Sequence, residues 1–158
     1  MIGATHGAAS ANRLLIVVPA VLLLGALGFQ HLGGLAPCEM CLWQRWPHLA
    51  ALVLAGSALV AGPGTQRALL IIAAGAVLTS GAIGVFHVGV EQHWWLGPQH
   101  CTPTVTRGRD FLNAVLAAPI VRCDVAAWSL GGVSMAGWNA VISIVTGLGA
   151  FALLGRAK

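Results

Sequence analysis

The stretch PCEMCLWQRWPH, Pro37 to His48, decides how this chain is read. It sets a Cys-x-x-Cys pair, Cys38 and Cys41, at the edge of a long apolar run and follows it with Trp43, Gln44, Arg45 and Trp46. Apolar sequence lies on both sides. Of the 158 residues, 58% are hydrophobic and 8% are charged. An ordinary soluble domain is about 25% charged. This chain has too little polar surface to cover a water-soluble globule, so it falls in the membrane class.

Runs of apolar residues extend over roughly Leu14 to Leu32, Trp46 to Ala61, Ala68 to Val90 and Val133 to Leu154. A bilayer needs about 20 such residues. The second run is short, and can begin at Leu42 if Arg45 reaches the interface on its long stem. Each run is expected to be helical, because lipid cannot satisfy an open backbone. The expected fold class is all-α: a single domain over residues 1–158, built as a four-transmembrane-helix bundle. Residues 1–12, rich in Ala and Gly, are expected to form a flexible tail. Gly62 to Gln66, GPGTQ, reads as a tight turn, and residues 91–132 as a long polar loop. The first run could be a cleaved signal peptide, given Arg13 and the apolar core. It continues to Leu32, however, and Pro37 follows the candidate site after Ala36, so a retained helix is expected.

Four helices put both termini on one face and the first and third connections on the other. All the cysteines, Cys38, Cys41, Cys101 and Cys123, then fall in those two connections. Arg13, Arg67, Arg156 and Lys158 lie on the terminal face. Arg45, Arg107, Arg109 and Arg122 lie on the cysteine face, with Arg107 and Arg109 too deep in a long loop to weigh heavily. The bias places the termini in the cytoplasm. Pairing of the cysteines would agree, since stable disulfides belong to oxidising compartments. Trp43, Trp46, Trp94, Trp95, Trp128 and Trp138 cluster towards the cysteine face as a one-sided aromatic belt. The net charge of +4 comes from 8 scattered Lys and Arg without a basic stripe. That suits membrane lipid and gives no support to nucleic acid.

A Cys-x-x-Cys pair serves redox exchange, zinc or haem attachment. Haem attachment wants His directly after the second Cys, where Leu42 stands. Zinc wants a closed set of four ligands. Cys101 and Cys123 are too widely spaced for a knuckle, although His93 and His100 are near in sequence, and no metal is expected. His31, His48 and His87 could hold a haem between helices, without any second cofactor signal. Two purely structural disulfides remain the plain alternative to a redox pair. Arg45 follows Cys41 by four residues, which on a helix is one turn along the same face. A guanidinium there favours the thiolate. A charge at membrane depth is a functional candidate by default, with interfacial snorkelling as its bland reading. Asp110 to Pro119 reads as a short loop helix with Phe111, Leu112, Val115 and Leu116 on one stripe. Ser80-x-x-x-Gly84 and Ser143-x-x-x-Gly147 read as close helix packing, without chemistry.

The Cys-x-x-Cys followed by LWQR, the run FHVGVEQHWWLGPQHC (Phe86 to Cys101) and the run VRCDVAAWSLGGVSMAGWN (Val121 to Asn139) together resemble the DsbB family of bacterial inner-membrane thiol oxidases. The resemblance covers Phe29 to the C-terminus. It implies that Cys101 and Cys123 form the disulfide that oxidises a periplasmic DsbA-like protein of thioredoxin fold, with Cys101 the sulfur attacked. It implies a transient Cys38–Cys123 bond, a redox pair Cys38–Cys41, and transfer from Cys41 to a quinone, either ubiquinone or menaquinone. Arg45 and His87 are the implied quinone-pocket residues. The implied location is the bacterial inner membrane, multi-pass, with cytoplasmic termini and periplasmic cysteine loops. Glu39 inside the Cys-x-x-Cys is expected to raise the thiol pKa values somewhat. Vitamin K epoxide reductase relatives carry the pair in their last helix, where this chain has no cysteine.

Overall fold

The computed structural model describes residues 2–98 and 121–156. Cys101 and the expected Asp110–Pro119 helix lie outside the described residues. The elements in chain order are α1 (Ile2–His31), α2 (Glu39–Ser57), α3 (Pro63–Glu91), β1 (Ser129–Leu130), β2 (Val133–Ser134) and α4 (Met135–Arg156).

Among the described residues, three helical spans are long and apolar enough to cross a membrane: His6–His31, Pro63–Glu91 and Met135–Arg156. The shorter α2, with 19 residues, carries the polar residues of the opening motif. α3 packs on α2 and α4, and α1 packs on the same two helices, so the four helices close into a bundle. Aliphatic residues such as Val17, Leu24, Val53, Ile72, Val141 and Leu148 are exposed on the outside, as lipid-facing surface requires.

Several boundaries differ from the sequence expectation. Residues 2–12 are helical and continue α1, where a flexible tail was expected. Ala11 and Asn12 are buried against the bundle, which makes that turn part of the core. The alanines that suggested a loose tail are also the best helix formers. The second helix begins at Glu39, ahead of Leu42, because the Cys38 sulfur caps it by accepting the Cys41 N–H at 3.1 Å. Cys41 therefore sits in the first turn of a helix and not in a loop. Glu39 in that turn is favoured by the helix dipole. The GPGTQ stretch is the opening turn of α3, with Gly62 as cap and Pro63 in the first turn, where its missing N–H costs nothing.

The long connection is not purely irregular. β1 and β2 form a small antiparallel hairpin, pairing Ser129 with Ser134 and Leu130 with Val133. Gly131 and Gly132 link them with φ of 60° and 79°, the left-handed pair that a tight hairpin turn needs. This hairpin takes Val133 and Ser134 out of the fourth helix, which starts at Met135.

The core has two ends. Ala11, Leu15, Ala51, Ala55, Ala58, Leu70, Ala73, Ala74, Val77, Ala150 and Leu154 form an apolar cluster at the end away from the cysteines. Cys38, Met40, Val90 and Cys123 form a second cluster at the opposite end, with Cys41 and Val121 packed against it. Between the two, the bundle interior is polar. Gly84 lets α3 approach α4 there, since a Cβ would meet the Ala136 carbonyl oxygen at 3.0 Å and the Ala140 nitrogen at 3.1 Å.

Candidate active site: a disulfide above a buried polar chain

Cys38 and Cys41 are joined as a disulfide, with their Cα atoms 5.0 Å apart. The pair sits where α2 begins. Cys123 is 2% exposed and packs in the same cluster as Cys38, so the tertiary fold brings the second cysteine segment onto the first. Beside Cys123, Arg122 holds Asp124 through two donated hydrogen bonds of 2.9 and 2.6 Å. The guanidinium pulls the Asp124 carboxyl down to about 2. Cys123 and Asp124 also line a cavity of about 410 Å³ formed with His93 to Pro98.

His87 lies one layer below the disulfide. Its Nε2 is 3.7 Å from the Cys38 sulfur and 3.9 Å from Glu91 Oε1. The ring also bonds the backbone of Cys123. On its other side, Nδ1 is 2.9 Å from the side-chain nitrogen of Gln44. Gln44 Nε2 donates to the Met40 carbonyl at 3.2 Å, which identifies it as the nitrogen, because a carbonyl can only accept. His87 Nδ1 therefore accepts, and the ring proton is on Nε2, on the side of Cys38 and the Cys123 backbone.

The chain of polar groups continues inward. Gln44 Oε1 accepts from Asn139 Nδ2 at 2.8 Å. Asn139 Nδ2 also donates to the Ser80 carbonyl at 3.3 Å, which orients this second carboxamide independently. Asn139 Oδ1 is 2.9 Å from His48 Nε2. Ser80 donates to the Gln44 carbonyl at 2.8 Å, and Ser143 donates to Asn139 Oδ1 at 3.2 Å. Helices α2, α3 and α4 are thus tied together by one directed hydrogen-bond chain.

Sequence reading assigned no chemistry to Ser80, Ser143 or Asn139, and took Gln44 only as part of a motif. The serines do sit at close helix contacts, but their hydroxyls bond into this chain. The signal available was polarity within apolar helices, which costs free energy unless partners exist.

Arg45 follows Cys41 on α2, but its guanidinium reaches α1. Nη1 donates to Gln30 Oε1 at 2.6 Å and Nη2 to the Ala26 carbonyl at 3.4 Å. Cys38, Cys41, Gln44, Arg45, His48 and His87 all line one predominantly apolar cavity of about 470 Å³ between α1 and the other helices. Two buried atoms near it, Glu91 Oε2 and His48 Nδ1, have no hydrogen-bond partner among the described residues.

The sulfurs of Cys38 and Cys41 and the ring of His87 lie within 4.8 Å of one another. In the disulfide the sulfurs lack the thiolate charge that a metal ligand needs. His31 is exposed at the end of α1, apart from His48 and His87 in the bundle interior, which gives no axial pair including it.

A family model described as disulfide bond formation protein DsbB matches residues 8–153. Proteins named disulfide bond formation protein B are similar along most of their length. The one from Verminephrobacter eiseniae is 34% identical, over 85% of this chain and 79% of that protein. That from Polaromonas naphthalenivorans is 30% identical, over 92% of each. That from Methylococcus capsulatus is 33% identical, over 85% of each. No solved structure matches the chain.

Proposed function

The chain belongs to the DsbB family of membrane disulfide bond formation proteins, and from that premise we propose that it oxidises a periplasmic DsbA-like dithiol protein and reduces a membrane quinone. The observation that carries the proposal is the packing of Cys123 against the Cys38–Cys41 disulfide, whose cysteines line an apolar cavity. In this reading α2 is the fourth membrane span. The termini are cytoplasmic, the cysteines face the periplasm, and the membrane is the bacterial inner one.

The steps balance as thiol–disulfide exchange. A partner thiolate attacks Cys101 of a Cys101–Cys123 disulfide and releases the Cys123 thiolate. Cys123 attacks Cys38, forming Cys38–Cys123 and releasing Cys41. The partner's second thiolate attacks the mixed disulfide, leaves oxidised, and frees Cys101. Cys101 then attacks Cys123, restoring its own disulfide and releasing Cys38. Cys38 and Cys41 are now reduced by two electrons. Charge on Cys38 is met by the Cys41 N–H at the start of α2 and by Nε2–H of His87.

The cavity residues fit a quinone. Apolar walls suit a ring and an isoprenoid tail, and Arg45 offers donors. Such a group, when bound, accepts two electrons and two protons. Cys38 and Cys41 both line the cavity, and in this reading Cys41 hands the electrons over as the Cys38–Cys41 disulfide re-forms.

The test is anaerobic. Purified protein is mixed with a reduced DsbA-like dithiol protein and a soluble quinone, and quinone absorbance and free thiols are followed together. Equal loss of both, abolished by Cys41→Ser, is the expected result. Thiols that stay reduced across ubiquinone-type and menaquinone-type acceptors would point instead to structural disulfides.

A further inference from the structure

His87 is the point at which the two cysteine segments meet. It stands near the end of α3 and is buried. Its Nδ1 is occupied, because Gln44 Nε2 donates to it at 2.9 Å. The neutral ring then has one proton to give, the one on Nε2. The bond to the Cys123 backbone is therefore donated by Nε2 and accepted by the Cys123 carbonyl oxygen. The Cys38 sulfur lies 3.7 Å from the same nitrogen, within reach of a hydrogen bond to sulfur. Glu91 Oε1, at 3.9 Å, is beyond a direct one. Among the described residues, one N–H thus stands before two acceptors, one from each cysteine segment.

Which acceptor wins depends on the state of Cys38. In the Cys38–Cys41 disulfide the sulfur is uncharged and a weak acceptor. The carbonyl then takes the hydrogen bond, and Cys123 is held in the cluster with Cys38. A thiolate at Cys38 reverses the order, because a hydrogen bond to an ionised acceptor is roughly twice as strong as one between neutral groups. Cys123 is itself buried, and a carbonyl left unpaired there is costly. The docked position of the segment loses its stabilisation. The ring keeps its proton throughout, and no electron passes through it.

We propose that His87 is a redox-dependent latch: its Nε2–H docks the Cys123 segment while the Cys38–Cys41 disulfide is closed, and lets it go when Cys38 becomes a thiolate. This inference rests on the exchange steps given above. Cys123 is then held against Cys38 when it has to attack that sulfur. It is released once Cys38 carries charge, so the freed thiolate does not attack back at Cys123. Re-formation of the Cys38–Cys41 disulfide returns the hydrogen bond to the carbonyl and docks the segment again. His87 acts here as a positioning residue for the exchange.

The test is limited proteolysis of the full-length protein in lipid nanodiscs. A variant carrying Cys101→Ser and Cys123→Ser keeps the backbone carbonyl at position 123 and leaves Cys38 and Cys41 as its only cysteines. Trypsin cuts after Arg122, whose side chain is exposed, and cleavage tracks the population of the undocked segment. The rate of that one cut is read by mass spectrometry at about pH 8.5, where an ordinary thiol is half ionised. It is compared with the Cys38–Cys41 pair closed and after anaerobic reduction, the reductant being removed before trypsin is added. Reduction is expected to speed the cut about tenfold, as one net hydrogen bond allows. Adding His87→Phe should give the fast rate in both states. Adding His87→Gln, which keeps an N–H near the Nε2 position, should retain the contrast. Equal rates in the two states with His87 present, a contrast that survives in His87→Phe, or its loss in His87→Gln would overturn the latch. A separate protein carrying Cys41→Ser and Cys101→Ser is incubated in a glutathione redox buffer. Failure to link Cys38 to Cys123 there would overturn the exchange reading and the latch with it, whereas a link formed without the proteolytic contrast would overturn the latch alone.

Discussion

The side-chain nitrogen of Gln44 lies 2.9 Å from Nδ1 of His87 and also donates to the Met40 carbonyl one turn back on its own helix. Gln44 is thereby the joint between the disulfide above and the polar interior below. It turns the protonated edge of His87 towards the Cys38 sulfur. It also passes its oxygen to Asn139 on α4.

Replacing Gln44 with Leu should therefore do two things. It strips partners from His87 and Asn139, and leaving buried polar groups unpaired costs about 1–3 kcal/mol. It also frees the His87 ring to turn from Cys38. The expected outcome is a lower unfolding midpoint together with slower re-formation of the Cys38–Cys41 disulfide after chemical reduction. A Gln44→Leu protein with wild-type disulfide kinetics would mean that His87 is held by Cys123 and Glu91 alone.

Cys38 and Cys123 share a cluster, so they should exchange readily once their other partners are removed. In a protein carrying both Cys41→Ser and Cys101→Ser, mild oxidation is expected to link Cys38 to Cys123. Peptide mapping without reductant reads this directly. Two thiols that both remain open to alkylation would argue against the exchange step.

Arg45 bridges α2 to α1 across the cavity by way of Gln30 and Ala26. Arg45→Ala should raise the apparent KM for quinone by about tenfold, the worth of a charge-assisted hydrogen bond, and leave exchange with the protein partner little changed. Arg45→Lys should rescue only part of this, because one ammonium does not reproduce two divergent donors. Unchanged kinetics at limiting quinone would reduce Arg45 to an interfacial anchor.

Gly84 faces the backbone of α4, so a methyl group there cannot be accommodated by a side-chain shift. Gly84→Ala is expected to destabilise the bundle by about 1–3 kcal/mol. Gly75, on the same helix, has open space where its Cβ would stand. Gly75→Ala should instead stabilise by about 0.5–1 kcal/mol through helix propensity. Thermal unfolding in one detergent compares the two, and equal effects would show that α3 and α4 are less closely packed than this.

Several residues of the candidate site were legible in one dimension. His87 was marked by the family resemblance of its run, and the Cys-x-x-Cys pair and Arg45 stand out because reactive or charged groups beside apolar runs are rare and costly. The helical runs were legible for the same reason, since lipid leaves the backbone few alternatives. Helix ends were less so. A cysteine sulfur capping α2, a helical start to α1 and a glycine hairpin ahead of α4 each depend on short local bonds that hydropathy does not register.

The sequence by itself determined the membrane class, the helical runs, and the family to which its cysteine motifs belong. Periodic burial and the solvation of polar groups are written residue by residue, so these could be read along the chain. Only the tertiary structure decided that Cys123 lies against Cys38, that Arg45 turns to α1, and that Gln44, Asn139 and His48 form one directed chain. Those relations join residues as many as 95 positions apart, and a hydrogen bond or an exchange between sulfurs depends on distance in space, which the order of residues does not state.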